Sequence, residues 1–300
     1  MSGQYWLKPC DLDIKYKDIN FFDNNFDYVE FLEASLSKDD KLIKQEASLK
    51  TPNNTTDGML KKAWMIIDNT RYLLKSGYKN ETLQPFNEVL ASEICKHLGF
   101  DHVTYTLDIY KDNVLSKCPC FINTNTEFIS DYQIESGIKE NDKSDFENYI
   151  VELEKHGIKD ARIKVENMFI LDFIIMNEDR HLNNFGIIRD VNTLNWLDMA
   201  PIFDNGQSLN IEYYDVNEMH ISNEGCLFYK TLPFEEIIKI VKDINRIELS
   251  KLDGIVEWFD DLLHQYQNVT CYSDSRINKL CVLLNRQIKK LALLQSSTNN

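Results

Sequence analysis

Residues 177–186 read NEDRHLNNFG, an acid pair, two bases and three amides packed into ten positions. The stretch is flanked by the apolar runs VENMFILDFIIM (165–176) and FGII (185–188), so the polar cluster stands where buried chain reaches a surface or a cleft. A solvated loop tolerates such a composition without needing it. Chemistry, by contrast, needs several polar groups brought to one place by chain that cannot wander.

Within this stretch Asp179 and Asn184 are five residues apart. That is the interval between the aspartate and the metal-binding asparagine in the catalytic loop of protein kinases. Phosphoryl transfer needs an acid to accept or orient the substrate hydroxyl and an amide oxygen to hold metal, both facing one cleft. Downstream, APIFDNGQS (200–208) brings Asp204, Asn205 and Gly206 immediately after two short apolar runs, FGIIRD and LNWLDMA, that read as a hairpin. A second acid there suits direct binding of Mg2+, and Gly206 suits a sharp turn away from the metal, although Asp-Asn-Gly is also ordinary turn chemistry.

A nucleotide site in an acidic chain must carry its own cation. Lys+Arg total 33 against 48 Asp+Glu, a formal net charge of −15, which argues against nucleic acid as a direct partner. The required lysine is Lys75, at the end of the apolar run RYLLKSG (71–77). This run and AWMIID (63–68) read as paired strands separated by Asn69 and Thr70. The following QPFNEVLASEICKHLGF (84–100) has helical periodicity and ends near Gly99. It offers Glu88, with Glu93 as the competing choice, to pair with Lys75 and aim it at phosphates. VTYTLDIY and VLSKCPCFI form a further hairpin, strand signals fade from about residue 123, and the segment to 160 reads as polar and irregular.

Taken together, NEDRHLNNFG followed by LDMAPIFDNGQSL resembles the HipA-like serine/threonine kinases, which carry D-R-H-x-x-N in the catalytic loop and a later A-P-x-[YF]-D segment. The resemblance implies an α+β, bilobal, protein-kinase-like fold, with a strand-rich N-lobe over residues 1–122 and a helical C-lobe over 123–300. It implies Asp179 as catalytic base, Asn184 and Asp204 as Mg2+ ligands, Lys75 as the ATP phosphate ligand with Glu88 as its partner, and Arg180 and His181 as structural residues. LSKCPCF (115–121) becomes the hinge, where adenine meets main-chain groups of Cys118 and Cys120. NNTTDGM (53–59), with the lone Gly58, becomes the loop over the phosphates, and Thr55 and Thr56 become candidates for autophosphorylation.

The implied substrate is a protein hydroxyl, in a toxin or effector role, with an antitoxin as a further partner protein. A lipid or small-molecule kinase on the same scaffold and a non-catalytic interaction module stay open as alternatives. No apolar run reaches the roughly 18 residues of a membrane span and the N-terminus has no secretory pattern, so a soluble, cytoplasmic chain is expected, with export as an effector left open. Seven cysteines at irregular spacings predict neither a disulfide framework nor structural zinc. Two further stretches have helical apolar spacing: Phe26, Val29, Leu32 and Leu36 near the start, and Ile277, Leu280, Leu284, Ile288 and Leu291 near the end.

Overall fold

The first hairpin turns on Asp68 and Asn69, whose φ values of 49° and 61° are the pair of left-handed residues that a two-residue turn between right-twisted strands requires. The computed structural model describes residues 10, 11, 13, 15–18, 20–24, 62–77, 83–110, 113–135, 144–209 and 223–298. Outside these lie the loop residues Thr55, Thr56 and Gly58 and the apolar spacing at Phe26 to Leu36.

The turn joins β1 (Lys62–Ile67) to β2 (Thr70–Ser76). With β3 (Thr106–Tyr110) and β4 (Asn113–Pro119) they form an antiparallel sheet in the order β1-β2-β4-β3. The turn lies one residue earlier than the expected Asn69-Thr70, which slides the register by two residues: the partner of Lys75 changes from Trp64 to Lys62, and the faces stay as they were. Lys62 is thereby brought opposite Lys75, Lys75 opposite Ser116, and Ser116 opposite Leu107, so the four share one face. Trp64, Leu73 and Cys118 make the next row on that face.

Helix α1 (Leu83–Leu98) connects β2 to β3. Its end is closed by Gly99 at φ +73°, which lets the Phe100 N–H donate to the Cys95 carbonyl at 2.9 Å. Phe86, Leu90 and Ile94 on α1 are buried in the main core, which extends through the helical part of the chain.

The segment read from sequence as polar and irregular carries regular structure among its described residues. It contains β5 (Thr126–Ser130), α2 (Asp131–Glu135) and α3 (Asp145–Lys155). α3 starts on Ser144, whose side chain accepts from the Glu147 N–H, and buries Phe146, Tyr149, Ile150 and Leu153. β5 pairs with β6 (Gly186–Asp190), and β6 with β7 (Trp196–Met199). α4 (Ala161–Ile175) runs into the opening stretch almost wholly buried. A small hairpin, β8 (Glu224–Leu227) and β9 (Lys230–Pro233), stands within the part of the chain expected to be mostly helical. Helices α5 (Phe234–Ile237), α6 (Ile255–Gln265), α7 (Gln267–Thr270) and α8 (Asp274–Thr298) complete the helical part. On α8, Ile277, Leu280, Leu284 and Leu291 are core residues, with Ile288 packed at the margin.

Candidate active site

Three chain segments converge on the Lys75 ammonium. The lysine is 4% exposed at the end of β2; its Nζ lies 2.6 Å from Glu88 Oε1 on α1 and 2.7 Å from Asp204 Oδ1 in the loop after β7. Burial alone would lower the pKa of Lys75, but Asp204 and Glu88 outweigh it and hold the group above its ordinary range. Burial likewise pushes against a charged Asp204; Lys75 wins, and the carboxyl is held below its usual value. Of the two competing acids, Glu88 is the partner. Glu93 lies on the other side of the helix, bonded to Lys96 and His97 near the surface.

The Asp204 loop is held from several directions. The Asn205 N–H donates to Glu88 Oε2 at 2.8 Å, and Asn87 Nδ2 donates to the carbonyls of Gly206 and Ser208 at 3.0 and 2.7 Å. The Asp204 N–H donates to the Tyr105 hydroxyl at 3.3 Å. Asp204 itself is left-handed, at φ 55°, as is Leu209 further along, whereas Gly206 has no positive φ, so the expected role of Gly206 as the turning residue is corrected. Holding a non-glycine residue there costs about 1–2 kcal/mol, which the surrounding hydrogen bonds offset.

The opening stretch leaves α4 through Met176, also left-handed at φ 53°, with the Asn177 N–H donating to the Asp172 carbonyl at 3.0 Å. Asn177 Oδ1 then accepts from the Asp179 N–H at 3.1 Å, while Asn184 Nδ2 donates to the Asp179 carbonyl at 2.8 Å. That bond uses the amide nitrogen of Asn184 and leaves Oδ1 as the acceptor end of the side chain. The Asp179 side chain is half-exposed; burial raises its pKa, with the His181 ring, 3.9 Å from its carboxylate, opposing the rise. The loop is tied to the Asp204 segment by the Glu178 N–H donating to Gln207 O and the Leu209 N–H to Ile175 O, both at 3.0 Å.

Between them lies Arg180, 0% exposed. It donates to Asp172 through Nε and Nη2 at 3.0 and 2.8 Å, to the Asn184 and Phe203 carbonyls at 3.1 and 2.7 Å, and to Asn205 Oδ1 at 2.5 Å. Phe203, Phe121 and Phe128 form a mutually packed aromatic trio with ring centroids 5.2–5.8 Å apart.

The hinge reading needs correction. The Cys120 N–H donates to the Arg71 carbonyl at 2.8 Å, and Cys118 stands in register with Leu73 two residues along, so the main-chain groups of both face β2. Cys118 is buried beside Tyr105 with its thiol pushed up to about 12 by burial, and burial raises Cys120 too, so neither side chain is a ready thiolate.

Lys62, Asn87 and Tyr105 are site residues that sequence reasoning missed. Lys62 shares the cleft face with Lys75, and its charge favours ionised Asp204. A correct placement of the Asp68-Asn69 turn would have found it.

Among the described residues no cluster of three or more His, Cys, Asp or Glu forms a complete metal cage. One carboxylate, Asp204, and one amide oxygen, Asn184, fit a hard cation that takes its other ligands from water and phosphate, as Mg2+ does.

Removing the central cation tests the energetics. Lys75→Met leaves Glu88, 2% exposed, and Asp204, 30% exposed, facing each other without a counter-charge. The expected loss is about 3 kcal/mol of unfolding free energy, read by chemical denaturation.

The antiparallel sheet with one helix, set against a helical part that carries the β6–β7 hairpin, is a kinase-like fold. No family model matches the chain. It is 26% identical over 192 residues to the serine/threonine-protein kinase CtkA of Helicobacter pylori, a match covering 57% of this chain. The chain spans about half, 54%, of that curated relative's length. The crystal structure of the H. pylori proinflammatory kinase CtkA superposes with a TM-score of 0.61 at 18% identity, covering 79% of this chain and 93% of that one. HipA of Shewanella oneidensis, solved with HipB and operator DNA, gives a TM-score of 0.47 at 11% identity over 84% of this chain and 68% of that one. The chain is thus similar to CtkA in sequence and shares its fold.

Proposed function

We propose that the chain is an ATP- and Mg2+-dependent phosphotransferase that phosphorylates a serine or threonine hydroxyl of a protein. The observation that carries this reading is the convergence of Lys75, Glu88 and Asp204 within 2.7 Å contacts, tied through Asn205 and Arg180 to the loop bearing Asp179 and Asn184. In this reading Lys75, supported by Lys62, meets the phosphates, and Glu88 holds Lys75 in place. Asp179 accepts or orients the substrate hydroxyl, and its half-exposed carboxylate is open to an incoming side chain. Asn184 and Asp204 would hold Mg2+, which neutralises charge on the phosphates when bound.

The base would lie against Leu73 and the Phe121, Phe128 and Phe203 rings, with its polar edge on the main chain at Pro119 and Phe121 in place of Cys118 and Cys120. The division between the lobes is placed between residues 122 and 123. Nothing in the charge balance recommends an anionic membrane as the substrate surface, and among the described residues no helix is long and apolar enough to cross one.

The direct test is incubation with labelled ATP, Mg2+ and a cell lysate, alongside an Asp179→Asn control. Label on discrete proteins supports the reading; label confined to the lipid extract favours a lipid kinase. A chain that binds nucleotide and labels nothing is an interaction module.

The metal assignment has its own test. Asp204→Ala is expected to weaken binding of ATP in the presence of Mg2+ by at least about tenfold. Metal-free ATP binding should change much less, as titration calorimetry under both conditions would read. Equal losses would make Asp204 only a partner of Lys75.

A further inference from the structure

Arg180 is spent entirely inside the protein. Its five N–H groups have five acceptors, and these belong to three different segments: Asp172 in the last turn of α4, the Asn184 carbonyl in the catalytic loop, and Phe203 O and Asn205 Oδ1 in the loop after β7. Two of the segments contain the residues proposed to hold metal. The guanidinium bonds the main chain of Asn184 itself and both residues flanking Asp204.

A fork of fixed planar geometry therefore ties the main chain at Asn184 to the residues on either side of Asp204. Asp172 holds the fork by two parallel bonds and is itself fixed by Asn177 Nδ2 at 3.0 Å, so the orientation is inherited from the end of a buried helix. From Asn205 the network continues through its N–H to Glu88 and from there to Lys75.

We infer that Arg180 is the positioning residue of the metal site, registering Asn184 against Asp204 so that both meet one Mg2+–nucleotide complex. The inference rests on the kinase reading of the site. It explains why an arginine is suited to the place directly after Asp179: a lysine ammonium has three donors on a flexible stem and cannot bond five acceptors lying around one plane. A purely structural arginine would affect nucleotide binding equally with and without metal. A positioning arginine affects the metal-dependent part.

The experiment is calorimetric titration of a non-hydrolysable ATP analogue into wild type, Arg180→Lys and Asn205→Ala, each with and without Mg2+. Wild type should bind the analogue more tightly with Mg2+. Arg180→Lys should raise the Mg2+ midpoint about tenfold to a hundredfold, the range for groups that orient metal ligands, and leave metal-free affinity near wild type. Asn205→Ala, which removes one arm of the fork and keeps the Asp172 pair, should shift the midpoint in the same direction by less. It decides the matter alone if Arg180→Lys does not fold.

A wild-type midpoint in the folded variants overturns the positioning role while leaving the kinase reading intact. So does an equal loss of metal-free and metal-dependent binding. Absence of any Mg2+ effect on wild type overturns both.

Discussion

Asp179→Asn is expected to give a folded chain that binds Mg2+ and ATP as wild type does and transfers phosphoryl groups about 10²–10⁴-fold more slowly, the range over which a positioned acid–base group acts. The substitution is nearly isosteric. The contacts that shape the loop at this position use main-chain atoms: the N–H bonded to Asn177 Oδ1 and the carbonyl bonded to Asn184 Nδ2. Neither depends on the side chain, which is half-exposed, so stability should change little. What is lost is the ability to accept a proton from the substrate hydroxyl. Single-turnover transfer measured beside nucleotide titration separates the two effects. Near-normal turnover would remove Asp179 from the chemistry and leave the cleft without an assigned base.

Much of the arrangement of these residues was legible in the sequence because they lie on short, locally recognisable segments. Asp179 and Asn184 lie on one short loop, and Asp204 follows a hairpin whose two strands announce themselves by alternation. The Lys75–Glu88 pair was legible for a related reason: an apolar strand leads to the lysine, and the next helix presents the acid. What was missed depends on pairing over distance or on register. β5 has few residues and a partner, β6, about sixty positions away, so no local pattern reveals it. α3 lies beside a polar stretch that masks its buried face.

Lys62 was missed because a turn set one residue late slides the register by two: Lys75 is then matched with Trp64, and its true neighbour Lys62 falls beyond the start of the expected strand. Assigning Cys118 and Cys120 to the base takes main-chain groups that the ladder with β2 already uses. Arg180 was readable as structural, but nothing in its neighbours along the chain reveals that its acceptors include residues 203 and 205.

Gly186→Ala is expected to cost more than about 4 kcal/mol of stability, placing it among the most damaging single substitutions the chain can take. Gly186 opens β6 immediately after the catalytic loop and pairs with Ser130. A Cβ built there would lie 2.1 Å from the Ile129 carbonyl oxygen and 2.8 Å from Ser130 Cα. Both obstacles are backbone in a paired strand, so no rotamer change relieves them; β5 must move away or the β5–β6 pairing must break. The consequence reaches the site, because the Gly186 carbonyl accepts the Ala200 N–H at 2.9 Å, and Ala200 leads directly to Asp204. Gly206→Ala is the internal control: its Cβ would meet Gln84 Cβ at 3.4 Å and Glu88 Oε1 at 3.6 Å, ordinary contact distances at an ordinary φ. Denaturant titration of the two variants should show Gly186→Ala severely destabilised or unfolded and Gly206→Ala close to wild type. A Gly186→Ala chain as stable as wild type would mean that β5 does not press on β6 as described, and with it would go the link from β5 through Gly186 to Ala200 and the Asp204 loop.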